Sequence, residues 1–76
     1  MITVHTKPQC VQCDAVKRYL DRYGIEFQEV PLTPESTAAF QARGILAAPV
    51  VELPGEPPFG GYRRPLLDAW REKHAA

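Results

Sequence analysis

Two cysteines, Cys10 and Cys13, stand in a single Cys-Val-Gln-Cys run and are the only two in the chain. Thiols at this spacing can exchange with a foreign disulfide, one attacking and the other resolving. They can also supply half of a tetrahedral zinc site. As a structural staple the pair is poor, because a bridge across two intervening residues restrains little unfolded-chain entropy. Secreted mini-proteins stabilised by disulfides carry more cysteines, spread along the chain. Zinc would need two further ligands, and the candidates His5 and His74 lack knuckle spacing. No metal is therefore expected, and the pair points to redox chemistry, with inert packing thiols as the plain alternative.

Flanking segments must position those sulfurs. Ile2, Val4 and Thr6 alternate with Thr3 and His5, which predicts a strand at 2–6, with His5 directed to solvent or to a hydrogen bond. Lys7-Pro8-Gln9 reads as a loop, since Pro8 biases Lys7 away from helix. A helical pattern begins at Val11. Val16, Tyr19, Leu20 and Tyr23 form one apolar stripe, with Lys17, Arg18, Asp21 and Arg22 opposite and Gly24 as the stop. Asp14 and Arg18 are predicted to pair at i, i+4. Cys10 thus falls at a helix N-terminus and Cys13 one turn in. The unpaired amides and macrodipole of that terminus favour a thiolate at Cys10. Lys7 adds a cationic field, whereas Asp14 opposes it and is screened if the site is exposed. Cys13, expected to be less exposed, is placed to resolve a mixed disulfide formed at Cys10.

The remainder of the chain completes an α/β pattern. Ile25 to Leu32 reads as a second strand. Thr33 caps a helix with Pro34 at its first position and Glu35 in its first turn, and Gly44 ends it. Residues 45–49 connect to a third strand, Val50 to Leu53, and Pro54 to Pro57 form a turn. Pro57 and Pro58 cannot donate to a ladder, so the strand that follows is short and at an edge. Gly60-Gly61 break the chain before a last helix near Pro65, whose apolar face is Leu66, Leu67 and Trp70. The order β-α-β-α-β-β-α implies a right-handed crossover, then a hairpin, in a four-stranded mixed sheet flanked by three helices.

Size and charge exclude several functions. The chain has 76 residues, room for one domain spanning 1–76 and for no large internal substrate cavity. Lys plus Arg number nine and Asp plus Glu nine, so bulk electrostatic capture of nucleic acid or of an anionic membrane is not expected. No apolar run is long enough to span a bilayer and no secretory signal is visible, which suggests a soluble, cytoplasmic protein. Monomer is the default for a carrier that engages two partners in turn.

Thr6-Lys7-Pro8-Gln9-Cys10-Val11-Gln12-Cys13 resembles the active-site segment of the NrdH-redoxins, glutaredoxin-like members of the thioredoxin fold superfamily. The similarity continues through Gly44 to Val51 and again at Phe59-Gly60-Gly61-Tyr62-Arg63, covering nearly the whole chain. The resemblance implies a minimal thioredoxin fold and a redox-active Cys10–Cys13 disulfide, with Cys10 attacking and Cys13 resolving. It also implies a dithiol carrier for class Ib ribonucleotide reductase, recharged by thioredoxin reductase. No cofactor would be bound, NADPH and FAD acting through that reductase. Pro49 would match the family's cis-proline, and Ala48 would offer backbone groups to an extended partner segment. Lys7, Val11, Gln12, Phe59, Gly60, Gly61, Tyr62 and Arg63 complete the expected partner-binding set. One departure is visible. Where NrdH-redoxins tend to read Trp-Ser-Gly-Phe-Arg-Pro, this chain has Phe59-Gly60-Gly61-Tyr62-Arg63-Arg64-Pro65, which shifts the helix start. Glutaredoxins follow Gly-Gly with aspartates that hold the ammonium of glutathione, and Tyr62-Arg63-Arg64 occupy those places here. Two alternatives remain, a glutathione-dependent general disulfide reductase and a thioredoxin-like binding module without turnover.

Overall fold

The computed structural model describes residues 1–74. Their element order is β1 (Ile2–Thr6), α1 (Val11–Arg22), β2 (Phe27–Pro31), α2 (Pro34–Ala42), β3 (Val50–Glu52), β4 (Phe59–Gly60) and α3 (Arg64–His74). The strands form one mixed sheet in the order β2-β1-β3-β4. β1 runs parallel to β2, with Ile2 opposite Phe27 and Thr6 opposite Pro31. β3 is antiparallel to both β1 and β4.

Alternation along β1 divides the interior into two layers. Ile2 and Val4 meet Val51 and Leu53 of the sheet side, together with Val16, Tyr19 and Leu20 of α1 and Leu67 of α3. This is the main core, and Trp70 packs against it while donating its indole N–H to the Pro54 carbonyl at 3.1 Å. On the opposite face, His5 packs against Phe40 of α2, ring centroids 4.9 Å apart. His5 is therefore not on a solvated face. Its ring is largely covered, hydrogen-bonded to Glu52, and leaves Nδ1 buried without a partner.

Local chemistry explains the boundaries. Thr33 Oγ1 accepts from the Ser36 N–H at 3.0 Å and the Thr33 N–H donates to Ser36 Oγ at 2.9 Å, a reciprocal cap at the expected start of α2. Gly24 and Gly44 follow the helices at φ +64° and +82°, in the left-handed region that closes a helix most readily with glycine. β2 is shorter than Ile25 to Leu32, because the Ile25 N–H turns back to the Leu20 carbonyl at 2.9 Å. β3 likewise stops at Glu52 rather than Leu53, and α3 starts at Arg64, one residue before Pro65. Tyr23 departs from the apolar stripe of α1. It is 38% exposed, caps the helix, and carries the Arg71 guanidinium over its ring at 4.0 Å.

Candidate redox site

The site is built where β1 hands the chain to α1. Gln9 takes φ +55°, a conformation uncommon outside glycine, and turns the loop so that Cys10 becomes the N-cap of α1. Cys10 Sγ accepts a hydrogen bond from the Cys13 N–H at 3.1 Å, and the Cys10 carbonyl accepts from the Asp14 N–H at 3.1 Å. An amide of the first helical turn is thus aimed at the sulfur expected to carry negative charge, and the helix dipole acts in the same direction. The two cysteines are joined as a disulfide, with Cα atoms 5.2 Å apart.

Exposure is less generous than the sequence suggests. Cys10 is 9% exposed and Cys13 1%. The N-cap side chain folds back under its own first turn, and Val11, 80% exposed, stands outermost. The two cysteines border a groove lined by Lys7, Pro8, Gln9, Asp14, Lys17 and Glu29. Asp14 faces Lys17 at 3.7 Å there, in place of the expected Arg18.

Ala48–Pro49 is a cis peptide and Pro49 is buried. The Gly61 N–H donates to the Pro49 carbonyl at 2.8 Å. Gly60 is held so close to the 45–49 loop that a Cβ on it would lie 2.6 Å from the Ala47 carbonyl oxygen. From the other side, Gln12 Oε1 accepts from the Tyr62 N–H at 2.8 Å. Gln12, between the cysteines, is therefore tied to the loop that leads into α3.

Of the residues expected to meet a partner, Lys7, Val11, Gln12, Tyr62 and Arg63 are exposed and Ala48 is half-buried. Phe59 does not share that environment, since it is half-buried and packs on the main core. A cluster next to the cysteines was not foreseen. Thr6, 7% exposed, donates its hydroxyl to Glu29 at 2.9 Å, and Lys17 donates to the same carboxylate oxygen at 3.2 Å. The Thr6 hydroxyl, then Lys17, hold the Glu29 carboxyl below the usual range. Glu29 lies far from the cysteines in sequence. Only the parallel register, with Glu29 opposite Val4, brings it to the groove, and the chain carries no spacing signal for that. Among the described residues no group of three or more potential metal ligands occurs, and no helix is long and apolar enough to cross a membrane.

The glutaredoxin family model matches residues 2–57. The chain is 35% identical over 69 residues to the glutaredoxin-like protein NrdH of Escherichia coli K12, covering 88% of this chain and 84% of that one. The chain belongs to the glutaredoxin family, among the NrdH-redoxins. The glutaredoxin-like protein NrdH of Lactococcus lactis is 35% identical over 65 residues, covering 83% of this redoxin and 89% of its relative. The solved NrdH-redoxin structure from Escherichia coli superposes with a TM-score of 0.80 at 34% identity, covering 99% of this redoxin and 96% of that chain. The four-stranded sheet with three helices is accordingly the thioredoxin fold, and the redoxin is a thiol-disulfide oxidoreductase with a Cys-x-x-Cys pair.

Proposed function

We propose that this redoxin delivers electrons to class Ib ribonucleotide reductase in the cytoplasm and is recharged by thioredoxin reductase rather than by glutathione. The observation that carries the redox step is the Cys13 amide held on Cys10 Sγ at the start of α1. In the reduced protein, Cys10 thiolate attacks one sulfur of the target disulfide. The other target sulfur leaves as a thiolate and takes a proton from solvent. Cys13 then loses its proton and attacks Cys10 Sγ, releasing the second target thiolate. Two electrons pass to the target and the Cys10–Cys13 disulfide remains. NADPH and FAD act through the partner reductase, and the redoxin itself works as a monomer.

Two features support the choice of reductant. The Escherichia coli NrdH-redoxin is described as having a thioredoxin-like activity profile. In this chain, α3 begins with Arg64 and has no acidic residue in its first turn, so no carboxylate stands where an ammonium of glutathione would be held. Positive charge at a helix N-terminus also opposes a cation there. The test is NADPH oxidation coupled either to thioredoxin reductase or to glutathione with glutathione reductase. Turnover with thioredoxin reductase is expected. Turnover only with glutathione would identify a general glutaredoxin instead, and full biological activity of Cys10→Ser would identify a binding module.

A further inference from the structure

A second groove lies beside the redox site and has no part in the steps above. Helix α1 presents Ala15, Arg18, Tyr19 and Arg22 along one stripe, since these positions recur at three- and four-residue steps. Across from the stripe stand Tyr62 and Arg64, and together they enclose a surface cavity with Ala15 and Tyr19 at its floor. Three of its lining residues are arginines and only Asp21 is acidic. Arg64 is paired with Asp68 at 3.5 Å, whereas Arg18 and Arg22 are exposed and have no acid within ion-pair distance among the described residues. In a chain of zero net charge, positive charge is thus concentrated on one wall.

That wall is linked to the redox segment by one hydrogen bond. Gln12, between the cysteines, accepts from the N–H of Tyr62, and Tyr62 lines the groove. From Gln12 helix α1 extends about 9 Å to Arg18 and about 15 Å to Arg22 at 1.5 Å per residue. An extended chain advances about 3.3 Å per residue. We propose that this groove holds an acidic segment of the disulfide-bearing partner, with carboxylates about three to five residues from the cysteine that Cys10 attacks. The arginine forks match carboxylates in a bidentate geometry, and the tyrosines Tyr62 and Tyr23 give the segment exposed ring surface. The inference rests on the redox reading and adds the chemical class of the target.

The test uses three synthetic peptides. Each has one cysteine joined in a disulfide to 2-nitro-5-thiobenzoate, and Asp, Asn or Lys at the third and fifth positions from it. Reduced redoxin attacks the peptide sulfur and releases the yellow thiolate, whose appearance gives the rate. At low salt the Asp peptide is expected to react about fivefold to tenfold faster than the Asn peptide, as two charge pairs plus steering would give. That ratio should fall towards one in 0.5 M salt, whose Debye length is about 4 Å. It should also fall towards one in Arg18→Gln/Arg22→Gln, and the Lys peptide should overtake in Arg18→Glu/Arg22→Glu. An Asp-to-Asn ratio near one in the native protein, or one unmoved by these substitutions, would overturn the inference while leaving the redox reading intact. So would a double Gln variant that slows only recharging by thioredoxin reductase, since the groove would then serve the reductase. If no peptide is reduced, the redox reading fails. Shifts of the Tyr62 and Arg18 amide resonances on adding a cysteine-free Asp peptide would still support the groove, and their absence would overturn it too.

Discussion

At the scale of single residues, the chemistry rests on an asymmetry between two sulfurs. Cys10 receives the amide hydrogen bond and has the greater exposure, and Cys13 is sealed within the first turn. Cys13→Ser should therefore accumulate a covalent adduct with a disulfide substrate, visible on non-reducing gels and dispersed by dithiothreitol, because nothing remains to resolve it. Cys10→Ser should form none. Equal release of product from the Cys13→Ser protein would reverse the assigned roles. Both cysteines, their helix-terminal position and the proline at 49 are legible in the sequence, because each depends on neighbours in the chain or on a motif. The Thr6–Glu29–Lys17 cluster is not, because it exists only once β1 and β2 align. Asp14 was expected to reach Arg18, and turns to Lys17 because Lys17 is drawn towards Glu29 as well.

Among elements, the close approach of β4 to the cis-proline loop sets the walls of the site. A Cβ at residue 60 would stand 2.6 Å from the Ala47 carbonyl oxygen and 3.0 Å from Ile45 Cγ2, and backbone cannot step aside as a flexible side chain can. Gly60→Ala should lower unfolding free energy by about 1–3 kcal/mol, the usual cost of overpacking. Denaturant titration at pH 7 would show it, and an unchanged midpoint would mean that the loop gives way freely. The sequence pattern locates all seven elements, since strand alternation, caps and glycine stops are local signals. Their ends shift where backbone bonds outside the ladder intervene, as at Ile25, whose N–H closes the end of α1 on the Leu20 carbonyl instead of joining β1. Tyr23 and Phe59 misled for a related reason. An aromatic ring at a helix end can stay outside under an arginine, and a ring in an edge strand can turn into the core.

Across the whole molecule, α1 and α3 are clamped by a polar knot at the rim of the main core. The Tyr19 hydroxyl donates to Asp68 and accepts from Arg71 Nε at 3.0 Å, while Arg64 and Arg71 approach the same carboxylate at 3.5 and 3.6 Å. Burial first, then Asp68, raise the Tyr19 hydroxyl above the ordinary tyrosine range. The Tyr19 hydrogen bond first, with help from Arg64 and Arg71, holds the Asp68 carboxyl below the ordinary carboxylate range. A folded pKa below the unfolded value of about 4 means that this stabilisation is complete above that pH. It is lost as pH falls through the lower, folded value. Asp68→Asn should therefore melt at a lower temperature than the native protein at pH 7. The gap should narrow as thermal scans are repeated below about pH 4, and a gap constant with pH would show that the charge contributes nothing. Such a knot joins residues some fifty positions apart, beyond any periodicity in the chain. The margins of the sheet have a different consequence. β4 is two residues long and follows Pro57 and Pro58, and β2 ends in Pro31 with Gln28 and Glu29 exposed. Neither border offers the long, flat, unprotected row of amides and carbonyls from which fibrils recruit further copies, so a crowded solution of this protein is guarded against polymerising through its own backbone.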